Sequence, residues 1–208
     1  MVLPLAAALA LAHQCAPAVA PQTLLAVVQV ESRFDELAIG INGPAPGRLA
    51  PKSVREAVAS ARTLISSGRN VDLGLGQINS RNLSRLGLAV EDAFDPCANL
   101  GAASRVLSDA YVQGGAGRAG PQVALRRALS IYNTGTPERG LTNGYVQKVA
   151  GAAAALVPPL QAARGGAPTA AGPEEPPARP SWDVFGDARG RRASFVITVP
   201  SSARGGRP

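Results

Sequence analysis

Three polar clusters interrupt otherwise apolar, helix-forming stretches of the 208-residue chain. They are Glu31-Ser32, the run Gly74-Leu75-Gly76-Gln77-Ile78-Asn79, and Tyr132-Asn133-Thr134-Gly135, with Tyr145 following the last. Glu31 has the most definite chemistry. At about 100° per residue it falls between Val27 and Leu24 on the circumference of a helix, inside the apolar stripe. A carboxylate there needs a partner or a task, because burial disfavours its charged form. An acid that keeps its proton to unusually high pH is what a general acid requires. The plainer alternative is a helix-end glutamate turned to solvent or paired with an arginine. Gly74-Leu75-Gly76-Gln77 is no phosphate loop, since no Gly-Lys-Ser/Thr follows. Tyr132-Asn133-Thr134-Gly135 also suits a helix C-cap with Asn or Gly in the left-handed conformation.

Helices must bring these clusters to one cleft. Pro21 suits a first helical position and opens the helix that ends near Phe34. Residues 38–51 are rich in turn formers and read as an irregular loop. Ser53 and Glu56 have capping-box spacing ahead of a helix over 53–67, with Gly68 as its stop. Residues 70–80 read as loop or short strand. Asp95-Pro96 caps a helix that Gly114-Gly115 ends, and Cys97 lies in its first turn. Pro121 opens another helix reaching Tyr132. Gly144-Tyr145-Val146 starts a last one, which Pro158-Pro159 closes.

Hydrophobic residues make up 46% of the chain but aromatics only 4%, and much of the apolar share is alanine. That favours helices packed closely through small side chains. The formal net charge of +7 is spread out: +4 over residues 1–157 (14 Lys+Arg, 10 Asp+Glu) and +3 over 158–208 (7 against 4). Without a dense basic block this argues against nucleic acid and fits an anionic polymer or surface. Cys15 and Cys97 lack the clustered partners of a metal site. They suit one disulfide in an oxidising compartment, the alternative being two buried thiols in a cytosolic fold. Residues 1–12 read either as a signal that lacks a basic start or as part of the first helix. No stretch is long and apolar enough to span a bilayer. From residue 158 Pro, Gly, Ala and Arg dominate, and 158–180 reads as a disordered linker. Within the tail, residues 181–199 hold Trp182, Phe185 and a β-prone run. That run could add a strand to a partner's sheet or cover the parent domain.

The order of the clusters, with Ala128-Leu129 before Tyr132-Asn133-Thr134-Gly135 and Gly144-Tyr145-Val146 after it, resembles the lytic transglycosylases with a goose-type lysozyme-like domain. Cys15-Ala16-Pro17, Val28-Gln29-Val30-Glu31-Ser32, Ala38-Ile39-Gly40-Ile41-Asn42-Gly43 and Asp95-Pro96-Cys97-Ala98-Asn99-Leu100 resemble, more narrowly, the subgroup serving type IV secretion and conjugation. The resemblance covers about residues 13–157. It implies an all-α, lysozyme-like domain over 13–157 followed by a disordered C-terminal tail.

By that resemblance Glu31 is the single acidic catalyst. It would protonate the β-1,4 glycosidic oxygen between N-acetylmuramic acid and N-acetylglucosamine. It would then act as base toward the C6 hydroxyl, giving a 1,6-anhydro product. Gln77, Asn79 and Asn133 would bind substrate, and Ser32 and Tyr145 would position substrate or the Glu31 carboxyl. Tyr132 would stack on a sugar face. A retaining hydrolase instead needs a second carboxylate about 5 Å away, and the nearest acids in sequence are Asp35 and Glu36. The resemblance implies no metal or organic cofactor. It implies a periplasmic enzyme whose partners are glycan strands and, through the tail, secretion-apparatus proteins. The rival readings are a non-enzymatic assembly factor, a nucleic-acid-binding accessory protein and a hydrolytic lysozyme.

Overall fold

Pro21–Glu31 forms the helix on which the rest packs, α2, and Leu24, Leu25, Ala26, Val27 and Val28 in it are all fully buried. A helix buried all round needs neighbours on every side. In this computed structural model, which describes residues 2–163, those neighbours are α1 (Leu5–Cys15), α5 (Pro96–Gln113) and α8 (Tyr145–Ala163). Ala8, Leu9 and Ala12 of α1 belong to the same core. The small alanines let these helices approach closely.

The other elements follow local signals. The Ser53 hydroxyl accepts the Glu56 N–H at the start of α3 (Val54–Ser66), while the Glu56 carboxylate turns back to the Lys52 N–H. Asp95 accepts the Ala98 N–H at 2.7 Å and caps α5, whose first helical residue is Pro96. Two short helices, α4 (Leu83–Leu86) and α7 (Arg139–Thr142), precede α5 and follow α6 (Pro121–Thr134) respectively, and Gly135 ends α6 at φ 74°. A disulfide joins Cys15 to Cys97, with Cα atoms 5.4 Å apart, fastening the end of α1 to the first turn of α5. The free-thiol alternative therefore falls away.

Two expectations change. Residues 38–51 are not simply an irregular loop. They carry β1 (Ile39–Ile41) and β2 (Gly47–Leu49), which join β3 (Val71–Leu73) and β4 (Ile78–Asn79) in an antiparallel sheet of order β2-β1-β3-β4. The fold is mostly helical, with this small sheet as one wall of the site. Nor do Pro158 and Pro159 close the last helix, which continues to Ala163. Burial of Leu156 and Leu160, one turn apart on the face toward the core, outweighs the lost backbone hydrogen bonds. The remainder of the expected linker (164–180) and the motif at 181–199 with Trp182 lie outside the described residues.

Candidate active site

Glu31 is the last residue of α2, and the apolar stripe predicted for it is real. Its flanking neighbours Leu24, Val27 and Val28 are completely buried, while the carboxyl emerges into a groove of about 640 Å³. Tyr145, the first residue of α8, donates its hydroxyl to Glu31 Oε1 at 2.5 Å. Burial pushes the Glu31 carboxyl up from 4.5 to about 7. The Tyr145 hydrogen bond works against that shift, the charge of Asp72 adds to it and Arg48 opposes it. Arg48, on β2, donates through Nη1 and Nη2 to the Glu31 main-chain oxygen, both at 3.2 Å. The hairpin is thereby tied to the helix end. Near neutral pH Glu31 is thus poised between acid and base.

The Gly74–Gln77 turn owes its shape to sterics and to one buried amide. Gly74 sits at φ +71°, where a Cβ would lie 2.2 Å from the Ala93 carbonyl oxygen, so only glycine fits. Asn99 of α5 accepts the Gly76 N–H at 2.7 Å and donates to the carbonyls of Leu73 (2.9 Å) and Ala93 (2.7 Å). Tyr132 donates its hydroxyl to the Gly76 carbonyl at 2.6 Å. Asn99 was not among the expected site residues. Its signal was its place two residues after Cys97, in the turn the disulfide fixes.

The expected site residues do not all do what was expected. Glu31, Gln77, Asn79, Tyr132 and Asn133 line the one groove. Ser32 does not: it is buried, and its hydroxyl bonds back to the Val28 carbonyl at 3.2 Å, as a helix-terminal serine readily does. Tyr145 acts on the Glu31 carboxyl and is absent from the groove lining. Gln77, held at φ +49°, spends its amide on the carbonyls of Ala38 (3.1 Å) and Gly74 (2.9 Å), so its role is to clamp the turn. Tyr132 is a strut whose hydroxyl is committed. Burial pushes that phenol upward in pKa, as it does Tyr145. Asn133 accepts from Asn143 at 3.0 Å and lines the groove.

The carboxylate that shares the groove with Glu31 is distant from it in sequence. Neither Asp35 nor Glu36 lines the groove, and Asp35 Oδ1 accepts the Leu37 N–H. Asp72, on β3, does line it. Its Oδ2 accepts from Asn42 and its Oδ1 from Asn79, both at 2.7 Å. The sequence carried a signal for it. Val71 and Leu73 are fully buried, so the alternating strand must turn Asp72 to the opposite face. Among the described residues no group of three His, Cys, Asp or Glu side chains could hold a metal ion.

A deeply seated acid at a helix end, opposite a Gly-punctuated turn and a Tyr-Asn pair, is the constellation the resemblance implied. The family described as Transglycosylase SLT domain matches residues 8–153. The chain belongs to this transglycosylase family. It is 43% identical over 175 residues to Protein virB1 of Agrobacterium fabrum (strain C58), a match covering 84% of this chain and 69% of that protein. It is 42% identical over 188 residues to Protein virB1 of Rhizobium radiobacter, covering 86% and 72%. Type IV secretion system protein virB1 of Brucella abortus biovar 1 (strain 9-941) is 43% identical over 160 residues, covering 73% of this chain and 66% of that protein. No solved structure matches the chain. The activity of this transglycosylase is that of a lytic transglycosylase, cleaving a glycosidic bond. Among its described residues no helix is long and apolar enough to cross a membrane.

Proposed function

We propose that this transglycosylase cleaves the N-acetylmuramic acid–N-acetylglucosamine β-1,4 bond of peptidoglycan in the periplasm, opening the wall locally for a type IV secretion or conjugation apparatus. The observation that carries the reading is Glu31 at the end of a buried helix, held by the Tyr145 hydroxyl and lining an amide-rich groove. Its O–H proton passes to the glycosidic oxygen, which leaves with the bonding electron pair. Positive charge is then shared between C1 and the ring oxygen. The resulting Glu31 carboxylate takes the proton of the muramic-acid C6 hydroxyl as that oxygen bonds to C1. The 1,6-anhydro ring closes and the acid is regenerated. A residue near pKa 7 serves both steps, since neither proton state is far from reach at neutral pH. Tyr145 holds the carboxyl in place, and Asn133 offers donors to substrate oxygens. The tail segment at 181–199 supplies contact with the apparatus.

The test is mass spectrometry of muropeptides released from purified sacculi by the wild type and by Glu31→Gln. The wild type releases anhydro-ended fragments. The variant loses at least about 100-fold of that release, the scale of a missing general acid. Equal release by both proteins rejects Glu31 as catalyst, and reducing-end products from the wild type reject the transglycosylase outcome in favour of hydrolysis.

A further inference from the structure

Among the described residues a single cation lines the groove, Arg139 of α7. Other arginines spend their guanidinium groups on the protein itself. Arg48, Arg69 and Arg105 donate to main-chain carbonyls, and Arg62 and Arg85 pair with carboxylates. Among the described residues the Arg139 guanidinium has no such partner. Its backbone, by contrast, is held firmly. The Gly140 N–H donates to Ser130 Oγ at 2.7 Å, and that buried hydroxyl donates to the Thr136 carbonyl at 2.7 Å. A Cβ on Gly140 would lie 2.5 Å from Ser130 Cα, so only glycine lets α7 sit this close to α6. The Asn143 N–H closes the short helix on the Arg139 carbonyl at 3.0 Å. A fixed backbone thus presents an unspent guanidinium to the groove, beside the neutral Asn133, Thr134 and Asn143.

The sugar rings of the substrate are uncharged. Its anionic groups hang from the lactyl arm of muramic acid, as carboxylates of a stem peptide or, where the peptide is gone, as the lactyl carboxylate itself. Neutral amides suit acetamido and hydroxyl groups, and the groove's own carboxylates repel another anion. A guanidinium offers a carboxylate two parallel donors and a charge. We propose that Arg139 is a specificity-determining residue that grips a carboxylate on the lactyl arm of the bound strand, so that the enzyme tells muramic acid from a plain N-acetylglucosamine chain.

This rests on the proposed peptidoglycan substrate, and binding is therefore measured apart from cleavage. Arg139→Gln and Arg139→Lys are made in the full chain, alone and with Glu31→Gln, which leaves the ligand intact. Three probes are titrated: peptide-bearing glycan strands, strands stripped of peptide by an amidase, and chitooligosaccharides, which carry no carboxylate. Arg139→Gln should weaken a carboxylate-bearing probe about tenfold and the chitooligosaccharide less than about twofold, with Arg139→Lys in between. A loss confined to peptide-bearing strands assigns the stem peptide, and a loss on stripped strands assigns the lactyl group. Turnover of sacculi should show the same loss in KM, with kcat and the alkaline limb of the pH profile in place. Equal losses on all three probes, or none on either glycan, overturn the proposal, as does a fall in kcat at unchanged KM. Turnover retained in Glu31→Gln overturns the cleavage mechanism and leaves the binding result standing.

Discussion

The two walls of the groove handle the same functional group in opposite ways. On the helical wall, α2 delivers Glu31 from a helix whose residues Leu24 to Val28 are fully buried. Desolvation dominates there, and the acid is held near neutrality. On the sheet wall, β3 delivers Asp72 into a lattice of amides, and a hydrogen bond on each oxygen fixes the side chain. A carboxyl's role is therefore set by what its element is buried in. A helix end emerging from an apolar core makes an acid. A strand flanked by asparagines fixes a carboxyl in place.

That contrast assigns rigidity to the sheet wall and tuning to the helical wall, and mutations can break it. The largest stability loss is expected from Asn99→Ala. Asn99 is almost wholly buried, and its amide serves the carbonyls of Leu73 and Ala93 and the N–H of Gly76. Removing it deletes three hydrogen bonds to the backbone around the turn, a cost of about 4 kcal/mol. Chemical denaturation measures it. Because Asn99 supports only the sheet wall, the alkaline limb set by Glu31 should stay where it is. Movement of that limb would mean the two walls are not independent.

A smaller effect tests the helical wall alone. The folded-state pKa of Glu31 lies at about 7, above the ordinary 4.5, so the folded protein holds its proton more tightly than the unfolded chain does. As pH rises from 4.5 toward 7 the unfolded chain ionises first, and stability falls. Above about 7 the folded state carries the ionised carboxyl at a cost of about 3 kcal/mol. Glu31→Gln removes that cost while keeping an acceptor for Tyr145. The variant should melt higher than wild type at pH 8, with the difference vanishing below pH 4.5. An equal melting temperature at both pH values would show that the acid is not desolvated as its surroundings indicate.

The same contrast explains what the sequence could and could not disclose. Glu31 was legible because helical periodicity is local: Leu24, Val27 and Val28 fix its angular position within one element. The capping residues Ser53 and Asp95, and Gly135 after α6, were legible for the same reason. Asp72 was legible only in its facing, from the alternation with Val71 and Leu73, and not in its surroundings, because its partner Asn42 lies far away in sequence. Asn42 is thirty residues away and reaches it only through the β1–β3 register that pairs Gly40 with Asp72. Proximity in sequence also misled. Ser32 adjoins Glu31, yet the α2 C-cap turns its hydroxyl into the helix, and Asp35 is near in the chain but not in the groove. Gln77 and Tyr132 were correctly placed at the groove, but their polar atoms are spent on the turn's backbone.

The smallest predicted effect is also the sharpest discriminator between the walls. Tyr145 donates to Glu31 Oε1 and so favours the ionised carboxyl, opposing the burial that raises its pKa. Tyr145→Phe keeps the ring in its buried place at the start of α8 and deletes only the hydroxyl. The Glu31 pKa should then rise further, and the alkaline limb should move to higher pH, opposite in sign to the shift expected for Asp72→Asn, which removes a charge that raises it. Loss of a single orienting hydrogen bond should lower kcat about tenfold, roughly 1.4 kcal/mol of barrier. Two substitutions on facing walls would thus displace one titration in opposite directions, which a general loosening of the groove cannot do. If both move the limb the same way, the helical and sheet walls do not act on Glu31 by separate hydrogen-bonding and charge effects, and a shared change in solvent access accounts for them.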